Sequence, residues 1–176
     1  MTRLSSRISY REARQELELL WKVKVSKGGM RDVTMRHGRV ADALIAAKVA
    51  HLEATAPLST AQPEQMVMCT DGAMVQLTSG EWREVKTVTL GEFRPYWDAK
   101  AHKVVTKTDS ISYFSRVETA EAFSRSALVE WHRRGGQNAH TVVAVQDGAL
   151  WIQSFIDYHC PQAVRVIDFA HALAYV

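Results

Sequence analysis

The chain has 176 residues, 47% of them hydrophobic and 23% charged, with 22 Lys/Arg against 19 Asp/Glu for a net charge of +3. That is a globular composition with apolar material for one substantial core, and it excludes a collagen-like, disulfide-scaffold or low-complexity chain. No apolar run approaches the roughly 20 residues that span a bilayer, and the first residues lack the apolar stretch of a secretory signal, so the expected setting is the reducing cytoplasm.

Charge is unevenly placed. Residues 1–53 hold 11 Lys/Arg against 6 Asp/Glu, a net of +5, and residues 54–176 hold 11 against 13, a net of −2. A basic first third on a mildly acidic remainder suits a nucleic-acid-contacting arm, although a solvated helical surface has the same composition.

In chain order, Tyr10–Trp21 predicts a helix capped by Ser9, with Ala13, Leu17, Leu20 and Trp21 on one face. A short connection leads to Ser26, a second N-cap, and to a basic helix reaching Gly38. A third helix, from about Arg39 to Ala54, turns Val40, Ala43, Leu44, Ala47 and Leu52 inward. Helix, short turn and basic helix outline a helix-turn-helix. Its candidate DNA contacts are Lys22, Lys24, Lys27, Arg31 and Arg36. A plain helical bundle fits the same pattern. Residues 57–65, with two prolines, read as a linker between a helical segment (1–56) and a main domain (66–176).

Beyond the linker the period changes to that of strands. Met66–Thr70 and Ala73–Leu77 are apolar runs, Thr78–Gly80 is a turn, and Trp82–Leu90 alternates, giving a three-stranded antiparallel meander. Arg94–Ser115 shows no clear period and reads as an irregular or inserted segment. Glu118–Arg134 predicts a helix closed by Gly135-Gly136. Thr141–Gln146 is a buried strand, Ala149–Tyr158 a helix, and Ala163–Ile167 a further strand. Continuous apolar strands alternating with helices imply a parallel half to the sheet. The order βββαβαβ outlines an α/β, RNase H-like mixed sheet, in which the fourth strand returns beside the first.

Two apolar runs end in the same step, Asp71-Gly72-Ala73 and Asp147-Gly148-Ala149. Asp-Gly is a common turn dipeptide. On neighbouring parallel strands, however, the two carboxylates repel unless a divalent cation lies between them, and oxygen-only ligands favour Mg2+, with Mn2+ as a substitute. Such a site performs phosphodiester chemistry.

Three strings in the first half, Asp71-Gly-Ala-Met-Val75, Gly80-Glu-Trp-Arg-Glu-Val-Lys86 and Ser112-Tyr-Phe-Ser-Arg116, and three in the second, Arg133-Arg-Gly-Gly136, Val145-Gln-Asp-Gly-Ala-Leu-Trp-Ile152 and Arg165-Val-Ile-Asp-Phe-Ala-His171-Ala172, resemble the catalytic domain of bacterial insertion-sequence transposases of the Kra group. The resemblance covers residues 66–176 well and the helical segment loosely. It implies an RNase H-like core of the DDE type that uses Mg2+ on double-stranded transposon-end DNA. It also implies that Asp71 and Asp147 are the first two catalytic, metal-binding aspartates, and that Asp168 and His171 form a site-supporting Asp-x-x-His pair. A strand-end cap and a helix-facing histidine would give the same pair without a site role. A zinc site from His159, Cys160, Asp168 and His171 lacks paired spacing. The family's third acidic residue lies on a helix beyond that pair, so the resemblance further implies a truncated transposase, inactive alone. Homo-oligomerisation is left open. Two alternatives stand beside this expectation: a non-catalytic DNA-binding remnant, and a self-sufficient RNase H-like nuclease using Asp71, Asp147 and Asp168.

Overall fold

The computed structural model describes residues 1–168, which fold as two units, Met1–Ala50 and His51 onward. The first unit holds α1 (Thr2–Ser5), α2 (Tyr10–Trp21) and most of α3 (Lys27–Thr55). Ser9 caps α2 in a reciprocal box: its hydroxyl accepts from Glu12 N at 3.3 Å, and Glu12 Oε2 accepts from Ser9 N at 3.0 Å. That satisfies two backbone donors at the helix start. Ala13, Leu17 and Met30 form a small core. Thr2 and Ser5 tie α1 to α3 through His37 and Thr34, both at 2.6 Å.

This unit corrects the helical outline. α3 runs unbroken for 29 residues, so the expected second and third helices are one. Gly38 has no atom within 4 Å of a built Cβ and makes no turn. A lone helical glycine costs about 1 kcal/mol, which the alanine-rich stretch after it absorbs. The inward stripe also fails: Val40 and Leu44 are 55% and 59% exposed, and Leu20 and Trp21 are exposed as well.

The second unit is α/β, with a five-stranded mixed sheet in the order β3-β2-β1-β4-β5. The strands are β1 (Gln65–Gln76), β2 (Trp82–Asp98), β3 (Lys103–Arg116), β4 (Thr141–Gln146) and β5 (Val164–Ile167), and the helices are α4 (Ala120–Arg133) and α5 (Leu150–His159). β1, β2 and β3 are antiparallel, while β1–β4 and β4–β5 are parallel.

One sheet face carries Met66, Met68, Val88, Leu90, Val142 and Ala144 into the core, against Phe123, Ala127 and Trp131 of α4 and Ile152, Phe155 and Ile156 of α5. Phe123 stacks on Phe155 with centroids 5.3 Å apart. Thr119 caps α4 through Ala122 N at 3.3 Å. Gly135 ends the helix region at φ +69°, and a Cβ there would lie 2.2 Å from the Ala61 carbonyl oxygen. The stretch 57–65, read from composition as a linker, is held to this region. Asn138 Nδ2 donates to the Ser59 and Ala61 carbonyls at 3.0 and 2.9 Å, and His132 Nε2 lies 3.0 Å from the Pro57 carbonyl.

Two sequence expectations change here. The meander is built from β1, β2 and β3, because β1 continues through Asp71-Gly72 as one twelve-residue strand. The segment 94–115, expected to be irregular, supplies most of β3 and the end of β2. Both cysteines are free thiols. Among the described residues, no helix is long and apolar enough to cross a membrane.

Candidate functional site

The parallel ladder decides which side chains share an edge. β1 and β4 pair from Gln65↔Thr141 to Cys69↔Val145, and continuing that register by two residues sets Asp71 beside Asp147. β4 and β5 pair up to Gln146↔Ile167, and one further step sets Asp147 beside Asp168. Side chains alternate along strands, so all three aspartates stand in one row, on the face opposite α4 and α5. The row extends across the antiparallel strands, where Asp71 pairs with Thr87 and Thr87 with Ser115. The two hydroxyls there are 2.9 Å apart.

Asp71, Asp147 and Asp168 line one concavity of about 210 Å3, floored by Cys69 and Val145. Gly72 N donates to Asp71 Oδ1, and Ala149 N to Asp147 Oδ1, each at 2.8 Å. One oxygen of each carboxylate is thereby held by backbone, and the other has no hydrogen-bond partner among the described residues. Asp168 N donates to the Gln146 carbonyl at 2.8 Å, which fixes the start of the segment after β5. The Gln146 amide oxygen accepts from Gly148 N at 3.1 Å and from Gln153, bracing the turn that carries Asp147. Burial first, and the Asp168 carboxylate second, push the Cys69 thiol up. That disfavours the thiolate, the reactive form of the group.

The glycine after Asp71 does a different task from the one expected. Gly72 does not turn the chain, since it pairs with Lys86 inside the β1–β2 ladder. A Cβ there would lie 2.2 Å from Glu84 Oε1. The missing side chain lets Glu84 lie over β1 and reach Lys86 Nζ. Lys86 is buried, also donates to the Glu118 carbonyl at 3.2 Å, and sits 5.3 Å from the Trp151 ring centroid. Sequence alternation grouped Lys86 with Val88 and Leu90 but did not reveal that it is buried or what it pairs with.

A hard divalent cation fits this donor set in part. Two carboxylates on a rigid edge, with water or substrate oxygens completing the shell, is the usual protein contribution to a Mg2+ site. Among the described residues, no three His, Cys, Asp or Glu side chains are gathered closely enough to enclose an ion. His171 lies outside the described residues. His159 does not join Asp168. Its ring packs against Trp131, Phe155 and Tyr158, both ring nitrogens are buried without a hydrogen-bond partner among the described residues, and burial pushes its pKa down to about 4.

The five cations expected to meet DNA lie in the other unit. Lys22 takes a left-handed conformation (φ 54°) after α2, Lys24 lies 3.9 Å from Glu18, Lys27 opens α3, and Arg31 and Arg36 are exposed along it. No family model matches this chain, and no curated protein matches it.

Proposed function

We propose that the second unit is an RNase H-like core for metal-dependent phosphodiester chemistry on DNA, of the insertion-sequence transposase type, with Asp71 and Asp147 as the cation-binding pair. One observation carries this reading: adjacent parallel strands put both aspartates at the same end and on the same face of one sheet. The strand order and the split between antiparallel and parallel halves are compatible with that fold.

A bound Mg2+ would supply charge neutralisation at the phosphate and a more acidic attacking hydroxyl. The chain's own residues do the positioning. Backbone donors from Gly72 and Ala149 orient the carboxylates, and the Thr87 and Ser115 hydroxyls beside them offer donors to phosphate oxygens. Strand transfer by this chain alone is not expected, because no third ligand gathers with the pair among the described residues.

The test is thermal unfolding with Mn2+ or Mg2+ against EDTA. At ten times its Kd, a cation bound only by the native state adds about 1.4 kcal/mol. Asp147→Asn should abolish that gain. It should also leave the protein at least as stable as the parent in EDTA, because two like charges no longer face each other. A parent protein indifferent to both cations would overturn the reading.

A second reading rests on Asp168 standing in the same row. If it turns toward a cation bound beside Asp147, the chain is a nuclease complete in itself. Mg2+-dependent degradation of generic DNA or RNA, lost in Asp168→Asn, would establish that alternative.

A further inference from the structure

β2 and β3 outrun the sheet. The pairing of β1 with β2 ends at Met66↔Glu92, yet β2 and β3 stay paired with each other from Phe93↔Thr108 to Asp98↔Lys103. The result is a two-stranded ribbon projecting from the sheet. A register shift between Leu90 and Glu92 marks its root, where Ser110 has φ +51° and a Cβ on Gly91 would lie 2.7 Å from Thr108 Cγ2. Such bulges sharpen local twist and re-aim the strands beyond them.

The ribbon's charge opposes that of the rest of its unit. Residues 93–108 carry Arg94, Lys100, Lys103 and Lys107 against Asp98 alone, a net of +3, whereas residues 54–176 as a whole are −2. Asp98 is occupied in the tip, where its Oδ1 accepts from Lys100 N at 2.9 Å and Ala101 N at 3.1 Å. Arg94 is paired with Asp109 at 2.9 Å. Acidic Glu64, Glu92 and Asp109 surround the root, so the positive charge belongs to the outer part. Lys100, Lys103 and Lys107 have no ion-pair partner among the described residues.

Lysines and a proline such as Pro95 on an exposed ribbon could serve merely to discourage edge-to-edge aggregation. That purpose calls for a polar surface throughout. Instead Tyr96, Trp97 and Val104 are 46%, 61% and 63% exposed. By register, Tyr96 shares a face with Lys103 and Lys107, and Trp97 stands with Val104 on the other. An open tyrosine ring among lysines on one face, backed by an open tryptophan on the other, matches a polyanion that also offers flat apolar faces.

We propose that this ribbon is a nucleic-acid-binding arm, its lysines on backbone phosphates and Trp97 or Tyr96 against an unpaired base of a single-stranded stretch. The ligand class rests on the preceding reading, but the arm needs neither metal nor catalysis.

The full chain is titrated in EDTA with an oligothymidylate of about 16 nucleotides, following tryptophan emission and the salt dependence of Kd. The parent should be quenched, and Trp97→Phe, which keeps the other four of the five tryptophans, should lose most of that quench. The Lys100→Ala/Lys103→Ala/Lys107→Ala variant should bind about tenfold more weakly, with its log–log salt slope reduced by about 2. Parent-like slope and quench in both variants would refute the arm, even if other cations keep the chain on the strand. So would a Trp97 response to phosphatidylserine vesicles and none to the oligonucleotide. A chain that shows these arm effects but no cation effect on stability keeps the arm and loses the catalytic reading, and the converse result does the reverse.

Discussion

Acid should unfold this protein through His159. The imidazole lies in an aromatic enclosure, 4.5 Å from the Phe155 ring centroid, 4.9 Å from Tyr158 and 5.6 Å from Trp131. Neither ring nitrogen has a hydrogen-bond partner among the described residues. Burial therefore pushes its pKa from 6.5 down to about 4, and the Ser124 backbone offsets only part of this. A histidine whose native pKa is depressed binds a proton more readily when unfolded. Its contribution to stability is complete above pH 6.5, falls as pH drops, and is spent by pH 4. At about 1.4 kcal/mol per unit, the full loss is roughly 3 kcal/mol, and about 2 kcal/mol of it is gone by pH 5. Urea unfolding at pH 7 and pH 5, followed by tryptophan emission, would measure it. Carboxylates contribute their own pH dependence, so the quantity to read is the difference between the parent and His159→Phe, which keeps an aromatic ring in the enclosure. The parent should lose about 2 kcal/mol more than the variant between those pH values. An equal loss in both, or an imidazole that titrates by NMR near 6.5 in the folded protein, would refute the reasoning.

Gly135→Ala should cost more than 2 kcal/mol by chemical denaturation, since it combines a left-handed backbone with a collision against the fixed Ala61 carbonyl. Removing the partner of Lys86 by Glu84→Ala should destabilise by about 3 kcal/mol, because a buried ammonium is then left with one carbonyl. Lys86→Met in that background should recover much of the loss, and failure to recover it would argue against a buried pair. Ser9→Ala should lower helix content and stability by about 1 kcal/mol, read by circular dichroism during urea unfolding.

Local chemistry made much of the main unit legible. Continuous apolar runs marked the start of β1 and the whole of β4, Gly135-Gly136 marked the end of α4, and the alternation over 82–90 marked the first half of β2. α3 misled because a glycine inside a helical pattern costs little, and nothing in the sequence says whether a turn repays it. The ribbon was hidden because its strands are bounded by pairing with each other. Neither face of it is buried, so no apolar alternation betrays it.

The amino-acid sequence by itself determined that two aspartates each close an apolar run and that the chain opens with a basic helical stretch. Those facts depend on residue type and short spacing alone. Only the tertiary structure decided that Asp71, Asp147 and Asp168 share one row, that Gly72 makes room for Glu84, and that His159 is sealed among rings. Register between distant strands and burial from every side depend on the whole packed sheet, and no local stretch of residues carries them.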